Sequence, residues 1–141
     1  MIFQHTLSQV LSQIKTQTRR IVGDKETAIR GAHNQILAIQ INGRDKWRVG
    51  KSYAVQAARG HRQTARIQLL KIRSEKLSRI SRADACAEGF SSRQAFLNTW
   101  DQIHGPNNRD TRVWVLEFEL GAVVLQPNIL MHNSTAYTAS K

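Results

Sequence analysis

The residues of this chain best suited to chemistry gather at Lys15-Thr16-Gln17-Thr18-Arg19-Arg20. Three cations and two hydroxyls within six positions are poor material for a core. They suit a site that holds phosphate, or one that activates a hydroxyl beside a lysine. A solvated helix end would explain the same cations, because lysine near a helix C-terminus complements the dipole. An unassisted threonine hydroxyl is a weak nucleophile and needs an adjacent base. Lysine serves as that base only when desolvation or neighbouring positive charge lowers its pKa. Arg19 and Arg20 can supply the charge, or can hold a developing oxyanion or a phosphate. A second cluster is Ala83-Asp84-Ala85-Cys86-Ala87-Glu88-Gly89-Phe90. Glu88 falls at the end of a short helix, where a carboxylate opposes the dipole. A cationic partner is therefore expected, and Lys15 is the candidate. Glu88 would then orient the lysine or pass a proton to a leaving amine; a structural ion pair is the alternative. Asp84 is expected only as the capping partner of Ser81, and Cys86 as a small core residue.

These residues must be held by ordinary elements. Met1-Ile2-Phe3 can open as a short strand. Thr6 with Gln9 reads as a capping box. Leu7, Val10, Leu11 and Ile14 follow on one helix face. The motif thus lies on the last turn and exit of that helix, and residues 19–22 start an extended segment. Residues 23–34 are polar and mixed and read as a loop. Residues 36–41 are apolar and end at the turn signal Asn42-Gly43. Trp47-Arg48-Val49-Gly50-Lys51 is a basic stretch, residues 53–55 a short strand, and residues 56–62 a basic loop. Residues 65–72 alternate as a strand, with Ala65, Ile67 and Leu69 on one side. Ser81 opens a short helix that stops at Gly89. Ser91 with Gln94 caps a second, carrying Phe96, Leu97, Trp100, Ile103 and His104 and ended by Gly105-Pro106. Residues 112–120 alternate strongly: Trp114, Leu116, Phe118 and Leu120 face one way, Val113, Val115, Glu117 and Glu119 the other. The pattern weakens from Gly121, and residues 133–141 read as a frayed tail. The expected fold is mixed α+β with a small, curled or closed sheet.

The chain has 141 residues, one ordinary domain, and a net charge of +11. Residues 1–80 carry 16 Lys/Arg against 4 Asp/Glu, a net of +12. Residues 81–141 carry 5 against 6, a net of −1. Such asymmetry points to a polyanion, nucleic acid first, although plain solubility or an anionic membrane surface would fit too. The candidate nucleic-acid contacts are Arg19, Arg20, Arg44, Lys46, Arg48, Lys51, Arg59 and Arg62. Trp47, between two of these cations, is either a stacking platform or a plug in the sheet interior. Trp100 and Trp114 are expected in the core; Tyr53 either joins the core or points its hydroxyl into the cleft. One cysteine excludes an intramolecular disulfide and fits a reducing, cytoplasmic setting. No signal peptide and no membrane span are expected. The Asn133-Ser134-Thr135 sequon is then empty. The five histidines are scattered, so no metal and no cofactor are expected.

In order and spacing, these pieces resemble the ASCH domain family of the PUA-like superfamily. The resemblance covers residues 1–120. It rests on the amphipathic helix, the Lys15–Arg20 motif, Val49-Gly50-Lys51-Ser52-Tyr53, Ile80-Ser81 with Ala87-Glu88-Gly89-Phe90, the Phe96 to Trp100 helix, and Val113-Trp114-Val115-Leu116-Glu117-Phe118. It implies a small PUA-like β-barrel flanked by short helices, with residues 121–141 as a partly flexible C-terminal extension. It also implies binding of RNA or of a modified pyrimidine nucleoside in a basic cleft. Some small ASCH proteins hydrolyse N4-acetylcytidine, which would make Lys15, Thr18 and Glu88 catalytic; others are reported to cut or bind single-stranded RNA, so a single-strand ribonuclease is a further alternative. This chain is longer than those amidohydrolases, with an expanded basic loop at residues 23–48, and far more basic, which favours a polymer. Oligomeric state is left open.

Overall fold

The computed structural model describes residues 1–123. Three short helices, α1 (Leu7–Leu11), α2 (Arg82–Ala87) and α3 (Arg93–His104), accompany seven strands. The strands are β1 (Gln17–Ile21), β2 (Glu26–Arg30), β3 (Ile36–Ile41), β4 (Arg44–Arg48), β5 (Ser52–Gln56), β6 (Gln63–Lys76) and β7 (Arg112–Val123). All pair antiparallel in one sheet ordered β1-β7-β6-β3-β2, with β4 on β3 and β5 on β6. The Trp114 Nε1 on β7 donates to Glu26 Oε1 on β2 at 2.8 Å, so the sheet is strongly curved. Among the described residues no pairing joins β1 to β2, and the expected barrel is an open sheet.

The inner face carries Ile39, Leu69, Trp114 and Leu116 in one cluster and Val55, Ile67 and Phe118 in another, the latter closed by Phe3 and Val10. The outer face of β7 is buried too: Val113 and Val115 pack with Leu77, Ile80, Phe96, Leu97 and Trp100 under α2 and α3. The alternation of β7 therefore separates two cores, and only from Glu117 onward does it separate core from solvent.

Several expectations need correction. Residues 23–34, expected as a loop, hold β2, and the expanded basic loop expected over 23–48 is a run of three strands, of which only the apolar segment 36–41 was marked in the sequence. The β2 strand lies at the end of the sheet and is only half buried, so its sequence lacks the apolar alternation of a covered strand. The Asn42-Gly43 turn is as expected, with both residues at positive φ, which a two-residue hairpin of that twist requires. Thr6 leads into α1 with no side-chain cap, and the helix ends at Leu11. Gln13, at φ 65°, then turns the chain, so Ile14 leaves the apolar face and is 60% exposed. Ser92, not Ser91, caps α3, accepting from the Ala95 N–H at 3.0 Å. Cys86 is exposed, not core. Residues 121–123 continue β7; the expected tail lies outside the described residues. No helix among the described residues is long and apolar enough to cross a membrane.

Candidate active site

The end of α1 delivers Lys15. The Gln9 carbonyl accepts from both the Ile14 and Lys15 N–H groups at 2.9 Å, closing the turn. Thr16 is then clamped between two elements: its N–H donates to the Ala87 carbonyl at 2.7 Å, and its carbonyl accepts from the Phe118 N–H at 2.9 Å. These bonds seat the motif against the end of α2 and the middle of β7. The Lys15 ammonium lies buried there, donating to Glu88 Oε1 at 2.5 Å and to the Glu88 carbonyl at 2.9 Å. Both side chains are 4% exposed. The misplacement of Glu88 against its helix dipole is thus offset by Lys15, as expected, and by a second cation. Arg19 Nη1 donates to Glu88 Oε2 at 3.0 Å.

Burial pushes the Lys15 pKa down; Glu88 pushes the other way, and Arg20 and Arg19 add to the lowering, leaving it below the ordinary lysine value. Thr18 is buried on β1 opposite Leu116 and lines the same cleft. That cleft, of about 220 Å³, has aromatic walls of Phe3, Phe90, Phe96 and Trp100. Its polar lining includes Lys15, Thr18, Arg19, Arg20 and Glu88, with His5 and His104 beside them. Among the described residues, no group of three or more His, Cys, Asp or Glu side chains is arranged to hold a metal ion.

Arg19 is the residue whose role the sequence concealed. Its side chain is fully buried and meets three carboxylates: Glu75 at 2.7 Å, Glu88 at 3.0 Å and Asp84 at 3.2 Å. Gln17 accepts from its Nη1 and donates to Asp84 Oδ1. Arg73 carries the network outward to Asp84, Glu75 and Glu117. Asp84 is therefore more than the cap of α2. Burial raises its carboxyl pKa, and hydrogen bonds from Gln17 and Arg73 outweigh that and leave it below the usual range. Arg73, Glu75 and Gln17 went unrecognised because the network that joins them to Arg19 and Asp84 forms only where β1 and β6 flank β7.

Gly89 lies against this motif. Its φ is +96°, and a Cβ there would stand 3.2 Å from Gln9 Cβ and 3.5 Å from Lys15 Cβ. Gly89→Ala is expected to cost about 1–3 kcal/mol through the left-handed backbone and the displaced Gln9. Urea unfolding measures it; a loss under a few tenths would show that the turn relaxes.

The remaining candidate cations stand apart from this cleft. Arg44, Lys46 and Arg48 lie on β4, which among the described residues pairs only with β3. Lys46 bonds Glu26 Oε2 at 2.5 Å, and Arg48 pairs with Asp45. Trp47, left open between platform and plug, packs against the inner cluster edge-on to Tyr53 at 5.3 Å. The Tyr53 hydroxyl accepts from the Arg48 N–H at 2.7 Å, away from the cleft. Lys51, Arg59 and Arg62 are exposed in the turns flanking β5. Trp100 and Trp114 are core, as expected. A different groove, unforeseen in the sequence, is lined by Arg30, Lys71, Arg73 and Arg112 with Leu70 and Trp114, and no carboxylate of the described residues lines it.

No family model matches the sequence, and no curated protein does. Solved structures do resemble it. A crystal structure of a protein from Enterococcus faecalis V583, of the DUF984 family model, aligns with a TM-score of 0.53 at 15% identity, covering 84% of this chain and 71% of that one. A crystal structure of an ASCH domain from Lactobacillus crispatus JV V101 aligns with a TM-score of 0.52 at 14% identity, covering 80% and 68%.

Proposed function

Starting from the ASCH fold that these likenesses give the chain, we propose that the cleft binds a modified pyrimidine nucleoside and hydrolyses the amide of an N4-acylated cytidine. The observation that carries this reading is the buried Lys15–Glu88 pair at the wall of a small aromatic-sided cleft that Thr18 also lines. Flat aromatic walls suit a base, and a cleft of about 220 Å³ suits a small ligand. The Thr18 hydroxyl attacks the acyl carbonyl carbon and yields its proton to Lys15, which burial makes ready to accept it. The C–N bond then breaks, and the amine departs with a proton returned from the Lys15–Glu88 pair. Water cleaves the threonyl ester to free the acid and restore the hydroxyl. Arg19 holds the far oxygen of Glu88 and so fixes the carboxylate toward the lysine. Chromatography of N4-acetylcytidine incubated with the protein is the direct test. Cytidine and acetate should appear, and no turnover by folded protein would overturn the reading.

A second reading, RNA binding on another face, is favoured by the groove that Arg30, Lys71 and Arg112 line, beside an Arg73 already paired with Glu75, Asp84 and Glu117. The β4 cations are less suited, because Lys46 and Arg48 already have acidic partners. Binding of a single-stranded RNA should weaken steeply with salt. Replacing Lys71 and Arg112 by alanine should reduce the logarithmic salt slope by about 1–2. Replacing Arg44, Lys46 and Arg48 should change it less. The reverse order would move the RNA to β4, and salt-independent binding would end the idea.

A further inference from the structure

Three cations line the cleft, and only one carboxylate does. Two of the cations are matched. Lys15 and Arg19 share Glu88, and Arg19 also holds Glu75 and Asp84. Arg20 is different. Its Nη2 donates to the Ile2 carbonyl at 2.8 Å, and its guanidinium stands 5.6 Å from the centre of the Phe3 ring. Its Nε is buried with no hydrogen-bond partner, and among the described residues no carboxylate forms an ion pair with it. A guanidinium does not shed its proton to escape such a setting. Arg20 is half-buried, and Glu88, the carboxylate that acts on it through space, is already held by Lys15 and Arg19, so a bound anion would complete its partners. A neutral carbonyl and an aromatic face answer only part of the Arg20 charge.

We propose that the ligand of this cleft carries an anionic oxygen group, and that Arg20 binds it. This rests on the reading of the cleft as a nucleoside site, and it narrows the substrate class from neutral nucleosides to anionic derivatives. The shared chemistry is a planar or tetrahedral oxyanion on a guanidinium, for which arginine is better shaped than lysine. Two sources fit: the phosphate of a nucleotide, or a carboxylate on the acyl side. Thr6 and Thr99, which also line the cleft, offer neutral hydroxyl donors to the same group.

Calorimetric affinities of cytidine, cytidine 5′-monophosphate, inorganic phosphate and acetate, for the wild type and Arg20→Gln, test it. The monophosphate should bind the wild type about ten-fold more tightly than cytidine, and Arg20→Gln should bring the two within about two-fold. Acetate binding that depends on Arg20, with no gain from the phosphate, would assign the anion to the acyl side and keep the site. Equal wild-type affinities for cytidine and its monophosphate, with no Arg20-dependent acetate binding, would overturn the proposal. So would a preference that survives in folded Arg20→Gln. The wild-type comparison stands alone if that variant does not fold, and Arg20→Lys, which keeps the charge, should retain part of the preference. None of these readouts needs turnover. An anion preference without deacylation would discard only the hydrolase; deacylation of the neutral nucleoside without an anion preference would discard only the anion site.

Discussion

Lys15→Ala should reduce the deacylation of N4-acetylcytidine by about 10²–10⁴-fold, the usual worth of a positioned general base. The fold should survive, because Glu88 keeps Arg19 as its second partner at 3.0 Å. Circular dichroism checks the fold, and single-turnover chromatography checks the rate. The pH dependence gives a sharper test. Lys15 accepts a proton only when neutral, so activity should rise with pH as the ammonium titrates. The midpoint should lie below the ordinary lysine range, since burial is the largest influence on this group. Glu88 opposes the lowering. Glu88→Gln should therefore move the rising limb to lower pH, whatever it does to the plateau. A limb that stays put in Glu88→Gln, or full activity in Lys15→Ala, would remove lysine from the role of base.

Arg19→Met should cost about 3–5 kcal/mol of stability, the range for removing one member of a buried charge network. Methionine keeps much of the stem but leaves Glu75, Asp84 and Glu88 facing one another with only Arg73 and Lys15 to answer them. A domain of this size is stable by only about 5–15 kcal/mol, so the variant should be near the limit of folding. Arg48→Met provides the contrast. Its pair with Asp45 is exposed on β4 and should contribute no more than about 1 kcal/mol. Urea denaturation of both variants decides the matter. A loss in Arg19→Met no larger than in Arg48→Met would show that water already screens the Arg19 cluster.

Elements with strong periodicity could be read from the sequence. The β3 strand has an apolar run and a turn dipeptide, α3 has helical spacing and a glycine stop, and β7 alternates. In each the local pattern and the tertiary environment agree. The β2 strand was hidden because half-burial at the end of a sheet asks little of its residues. Ile14 misled because it continued a spacing after Gln13 had already turned the chain. The meeting of Lys15 with Glu88 was legible from one anomaly, an acid at the wrong end of a helix dipole. The Arg19 cluster showed no comparable anomaly. Arg19 and Glu75 lie 56 positions apart, and each by itself looks like an ordinary surface charge. Only the pairing of β1 and β6 on either side of β7 brings them together.

The placement of β1 has a consequence for how the chain is made. Its ladder partner is β7, the last described strand, and Thr16 is fixed by Ala87 and Phe118. During synthesis the Lys15 segment emerges well before Ala87 and Phe118, the residues that fix it. Residues 1–80, with their net charge of +12, leave the ribosome before Asp84, Glu88 and Glu117 exist to neutralise them. Contacts this distant in sequence make for late, slow closure. The cleft thus closes only after β7 has been made, and a product truncated before β7 lacks the ladder partner of β1.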